Sequence, residues 1–141
     1  MATDPRSDAG NGSVGEPYGV LLVDDVADLR LMVRLNLEGS GRFKVLAEAA
    51  DGADGVALAG VHRPDLVLLD IGMPVQGGLE ALPLIQEASP ESRIVILSAF
   101  EEQRYGTAAR DLGAAAYVEK TLPPDQLVAQ LVDLMAAAKA P

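Results

Sequence analysis

The 141 residues are 49% hydrophobic and 23% charged, which suits one compact domain with its own core and leaves no room for a second. With 11 Lys and Arg against 21 Asp and Glu, the net charge of −10 repels phosphate backbones and anionic headgroups and so disfavours direct contact with nucleic acid or membrane. The lack of cysteine excludes disulfides, zinc thiolates and thiol catalysis, no apolar run reaches the roughly 20 residues of a bilayer span, and Asp4, Pro5, Arg6 and Ser7 break the order of a signal peptide, so a cytoplasmic setting is expected.

Residues 1–17 are rich in Gly, Ser, Asp and Asn with little to bury, and read as a disordered extension before a folded domain over 18–138. Val20 to Val23 is apolar without polar alternation, the look of a parallel strand covered on both faces, and it ends in Asp24-Asp25. Val26, Leu29, Val33 and Leu37 then recur at helical spacing until Gly39 and Gly41. Phe43 to Ala47 reads as a short strand. Asp51-Gly52 caps a small-residue helix carrying Val56, Leu58 and Val61, which Pro64 ends.

Leu66 to Leu69 is a second unbroken apolar run, and it stops at Asp70. The following Ile71-Gly72-Met73-Pro74 decides for strand and loop over a buried helix. Gly77-Gly78 opens a helix with Leu79, Leu82, Leu84 and Ile85, where Pro83 predicts a kink or a late start. Ile94 to Leu97 is a strand ending in Ser98, followed by a helix from Glu101 to Leu112 around Tyr105, Ala108 and Leu112, closed by Gly113. Ala114 to Val118 is the last strand, ending in Glu119-Lys120. Pro123-Pro124 opens a final helix that buries Leu127, Val128, Leu131, Val132 and Met135. Five alternations of strand and helix predict an α/β fold: a doubly wound, five-stranded parallel sheet in the flavodoxin-like order 2-1-3-4-5, with helices on both faces.

Such a sheet collects Asp24, Asp25, Asp70, Ser98 and Lys120 at one edge, the carboxyl ends of the strands where ligands bind in this class. Three carboxylates a few ångströms apart repel by several kcal/mol at moderate dielectric, so they need a cation or protons to coexist. Oxygen donors without His or Cys point to Mg²⁺, with Mn²⁺ as the alternative. A magnesium ion on one or two carboxylates, with an ammonium beside it, suits a phosphoryl group. Asp70, alone at the end of the central strand with an open loop after it, is the expected acceptor, Asp25 the metal ligand, and Asp24 the group that orients metal-bound waters.

Val23-Asp24-Asp25, Leu69 to Pro74 with Gly77-Gly78, Leu97-Ser98-Ala99 and Gly113 to Lys120 together resemble the response-regulator receiver domain of two-component signalling, from about Tyr18 to Met135. The resemblance implies that Asp70 accepts a phosphoryl group from a histidine kinase or phosphotransfer protein. It implies Mg²⁺ on Asp25, Asp70 and the main-chain carbonyl of Gly72, with Ser98 and Lys120 on phosphoryl oxygens. It also implies that Ser98 and Tyr117 form a switch that reshapes the face of the fourth helix, fifth strand and fifth helix for a protein partner. Two positions depart or vary. Thr121 replaces the proline that commonly follows the family's lysine in a cis bond, so a trans bond is expected with Lys120 still aimed at Asp70. Gly72 and Phe100 lie where the family varies its side chains and the access of water.

The expected protein is a stand-alone phosphoacceptor and not an enzyme. Its rivals are a receiver from a longer DNA-binding regulator, a pseudo-receiver that works without phosphate, and a phosphatase with an aspartyl-phosphate intermediate. The last needs a second acid just after its nucleophile, where this chain has Gly72. The single histidine, His62, reads as exposed and inert.

Overall fold

The computed structural model describes residues 15–73 and 77–139. The expectations for residues 1–14 and for Pro74 fall outside the described residues. The elements run β1 (Tyr18–Val23), α1 (Ala27–Gly39), β2 (Phe43–Ala49), α2 (Gly52–His62), β3 (Leu66–Leu69), α3 (Gly78–Ala88), β4 (Arg93–Ser98), α4 (Glu102–Asp111), β5 (Ala116–Glu119) and α5 (Pro124–Lys139). All pairings are parallel and the strand order is β2-β1-β3-β4-β5, as expected.

The unbroken apolar strands follow from two cores. Val20, Leu22, Leu66, Leu68, Val95 and Leu97 point to one face and pack with Val33 and Leu37 of α1 and Leu127, Leu131 and Met135 of α5. Leu21, Val23, Val67, Leu69, Ile94 and Ile96 point to the other, against Ala59 of α2, Ala81, Leu82 and Ile85 of α3, and Ala109 of α4. Because successive side chains alternate between faces and both faces are covered, Val20–Val23, Leu66–Leu69 and Ile94–Leu97 are apolar throughout, and polar side chains come only at the strand ends, as with exposed Arg93 at the start of β4 and Ser98 at its close.

Several helix faces differ from expectation. Val26 precedes α1 at its N-cap and is exposed, as are Val61 of α2, Leu84 of α3, Ala108 of α4, and Leu112 just beyond it. The buried positions of α2 are Gly52, Gly55 and Ala59, and those of α4 are Gly106 and Ala109. The physical reason is close approach: a Cβ on Gly55 would sit 3.0 Å from a methyl of Val23, so α2 lies too near the sheet for large residues. Pro83 neither delays nor ends α3, which starts at Gly78 and runs through it. The last strand begins at Ala116, two residues later than expected. His62 is exposed at the end of α2.

Candidate functional site

The polarity break at the carboxyl ends of β1, β3, β4 and β5 builds the site. Asp24 follows β1 with its amide donating to the Ala49 carbonyl at 3.0 Å, and Asp70 follows β3 with its amide donating to the Val23 carbonyl at 2.9 Å. Sheet pairing therefore continues one residue past each strand and sets the two acids side by side. Both are buried, at 7% and 6% exposure, whereas Asp25 is exposed. Carboxylate oxygens of Asp24, Asp25 and Asp70 all lie within 4.8 Å of one another, an all-oxygen set that fits a hard divalent cation.

Lys120, at the end of β5, reaches across the sheet edge. Its Nζ is 2.8 Å from Asp24 Oδ2 and 3.4 Å from Asp70 Oδ2. The ammonium thus points at the acids through a trans Lys120–Thr121 bond, and it sits nearer to Asp24 than to Asp70. The second oxygen of Asp24 accepts from the Val26 amide at 2.8 Å, and Asp70 Oδ1 accepts from the Gly72 amide at 3.2 Å. Burial raises the Asp70 carboxyl above its ordinary value; the Gly72 amide and Lys120 oppose this, and the charge of Asp24 adds to it.

The loop after Asp70 is clamped by the start of α3. A Cβ on Gly78 would lie 2.1 Å from the Asp70 carbonyl oxygen and 2.7 Å from Ile71 Cα, so only glycine lets the helix come this close. The Phe100 ring covers Gly72, where a Cβ would meet it at 2.9 Å.

Ser98 is fully buried at the end of β4, and its Oγ accepts from the Phe100 amide at 3.0 Å. Tyr117 is buried on β5 and its hydroxyl donates to the Phe100 carbonyl at 2.8 Å. Burial raises the Tyr117 phenol above its ordinary value, against the effect of nearby Ser98 and with that of Glu119.

The structure adds residues that the sequence reading gave no role. Arg30, in the first turns of α1, donates through Nη1 to the Asp24 carbonyl and through Nε to Glu48 on β2 at 2.9 Å. Glu48 also pairs with Arg34 at 2.9 Å. Burial alone would push the Glu48 carboxyl up, yet the two guanidiniums hold it below its ordinary value. Glu119 Oε2 accepts from the Glu102 amide at 3.0 Å, joining β5 to the start of α4. Of these only Glu119, next to Lys120, adjoins a site residue in the sequence.

Comparison with known proteins then decides the family. The model of the response regulator receiver domain matches residues 20–132. The chain belongs to that family. It is 36% identical over 116 residues to the nitrate/nitrite response regulator protein NarL of Escherichia coli (strain K12), a match over 82% of this chain and 54% of NarL. The chain thus spans about half the length of that relative. It is 37% identical over 111 residues to the chemotaxis protein CheY of Bacillus subtilis (strain 168), over 79% of this chain and 92% of CheY. Among solved structures, the CheX-CheY-BeF3-Mg+2 complex from Borrelia burgdorferi matches with a TM-score of 0.79 at 27% identity, over 85% of this chain and 90% of that one. This receiver domain carries the acidic cluster through which the family binds Mg²⁺. Receiver domains work with histidine kinases or phosphotransfer proteins in two-component signalling. Among the described residues no helix is long and apolar enough to cross a membrane.

Proposed function

We propose that this receiver domain takes a phosphoryl group onto Asp70 from a histidine kinase or phosphotransfer protein and thereby changes its binding to a protein partner. The observation that carries the reading is the meeting of Asp24, Asp25 and Asp70 within 4.8 Å under the ammonium of Lys120. Asp25, Asp70 and the Gly72 carbonyl would hold Mg²⁺, or Mn²⁺ as the alternative, with Asp24 beside its waters, and the ion would neutralise charge that otherwise repels a phosphoryl group. An Asp70 oxygen bonds to phosphorus as the bond from phosphorus to the donor histidine nitrogen breaks, and the electron pair stays on the imidazole. The burial of Asp70 keeps bulk water from competing for that oxygen. Lys120 lies where it can turn from the acids to the incoming phosphoryl oxygens. Ser98, whose Oγ accepts from Phe100 and whose hydroxyl bonds with that of Tyr117, would turn its O–H to them.

In this reading Ser98 and Tyr117 switch the face of α4, β5 and α5, because both hold the Phe100 backbone that leads into α4. The domain is a cytoplasmic phosphoacceptor and not an enzyme with a diffusing substrate. A stand-alone regulator is supported by the match over 92% of CheY; the same domain within a longer regulator is supported by its span of 54% of NarL. Incubation with Mg²⁺ and acetyl phosphate, read by intact mass, tests the acceptor. One added phosphoryl group is expected on the wild type and none on Asp70→Asn. Equal labelling of the variant would remove Asp70 from the role.

A further inference from the structure

Helix α4 has no side-chain cap of its own, since Glu101 at its N-cap makes no capping hydrogen bond. The cap comes from another element: Glu119 Oε2, on β5, accepts from the Glu102 amide in the first turn of α4. A carboxylate at a helix amino terminus is favoured both by the free amide and by the helix dipole. Glu119 itself is fixed, because β4 and β5 pair Ser98 with Glu119 and the Lys120 amide donates to the Ser98 carbonyl at 2.7 Å.

Three bonds therefore hold the segment from Ala99 to Glu102: Ser98 Oγ on the Phe100 amide, Tyr117 on the Phe100 carbonyl, and Glu119 on the Glu102 amide. Any movement of Ser98 towards Asp70 pulls the Phe100 amide with it. The bond to Glu119 resists, because its carboxylate is anchored on a neighbouring strand. We propose that Glu119 is a latch on α4, closed in the resting protein and released when Asp70 is phosphorylated. This inference rests on the phosphorylation of Asp70 proposed above. A groove of about 400 Å³, lined by Glu102, Tyr117, Glu119, Thr121 and Leu122 among others, opens beside the latch. A released carboxylate has water to turn into, which keeps the cost of opening low.

Coupling is reciprocal, so whatever opens the latch must also favour phosphorylation. Loss of a capping side chain is expected to tighten the binding of beryllofluoride with Mg²⁺ to Glu119→Ala about fivefold over wild type, read by titration. Glu119→Gln keeps an acceptor oxygen and should bind beryllofluoride within about twofold of wild type, which a bare effect of charge would not produce. On the wild type, amide exchange resolved by NMR should show the Glu102 amide protected at rest and exposed with beryllofluoride and Mg²⁺. An unchanged or weaker beryllofluoride affinity in folded Glu119→Ala, or a Glu102 amide that becomes more protected with beryllofluoride, would overturn the latch. A wild type that gains no phosphoryl group would overturn the proposed function and the latch together, whereas normal wild-type labelling with an unchanged beryllofluoride affinity of Glu119→Ala would overturn the latch alone.

Discussion

Asp70→Asn should make the metal-free protein more stable while abolishing its acceptor. The charges around Asp70 nearly cancel. At an effective dielectric of about 20, repulsion from Asp24, within 4.8 Å, costs at least about 3.5 kcal/mol, and attraction to Lys120 at 3.4 Å returns about 5 kcal/mol. Exposed Asp25 adds a further, screened repulsion. What remains is the burial of a carboxylate at 6% exposure, the leading cause of its raised pKa. An amide of the same shape avoids most of that penalty and can still accept from the Gly72 amide. A gain of about 1–3 kcal/mol follows, which at about 4 °C per kcal/mol is a rise of about 4–12 °C in Tm. The assay is thermal unfolding in EDTA and again with Mg²⁺, which should narrow the gap by stabilising only the wild type well. The pH dependence has a definite sign. Below the ordinary aspartate value of 3.8, Asp70 is protonated folded and unfolded, so the variant has no advantage. As pH rises through the raised folded value the wild type loses stability, because its folded state binds the proton more tightly, and the gap opens. A metal-free variant no more stable than wild type at neutral pH would refute the argument that burial dominates here.

Asp25→Ala should keep the fold, since its side chain is exposed, and should weaken Mg²⁺ binding at least about tenfold by calorimetry; unchanged affinity would exclude it as a ligand. Gly78→Ala should lower stability by about 1–3 kcal/mol despite the better helix propensity of alanine, because its Cβ would meet backbone atoms of Asp70 and Ile71. Its Tm and its rate of labelling should fall together, and a Tm at or above wild type would mean that α3 does not clamp the acid loop.

The fold and the acid site were legible in the sequence because both are written in where polarity changes. A strand buried on two faces must be apolar throughout, so the abrupt carboxylates at Asp24 and Asp70 mark the strand ends, and parallel crossovers bring those ends to one edge. Lys120 was legible for the same reason. The helices α2 and α4 were read less well. Their buried faces are Gly52, Gly55, Ala59, Gly106 and Ala109, which carry little apolar signal; closeness to the sheet selects the small residue at Gly55 of α2, whereas a Cβ on Gly106 would meet the Glu102 and Arg110 side chains of α4 itself.

Only the tertiary structure decided how the site is held. That Arg30 grips the Asp24 carbonyl depends on Glu48, 18 residues away, arriving beside it on β2. That Glu119 caps α4 depends on the register that sets it opposite Ser98. Local sequence can specify which residues are polar and where an element stops, because those follow from burial along one segment. Hydrogen bonds between segments depend on the relative placement of elements, which is set by packing and register across the whole sheet.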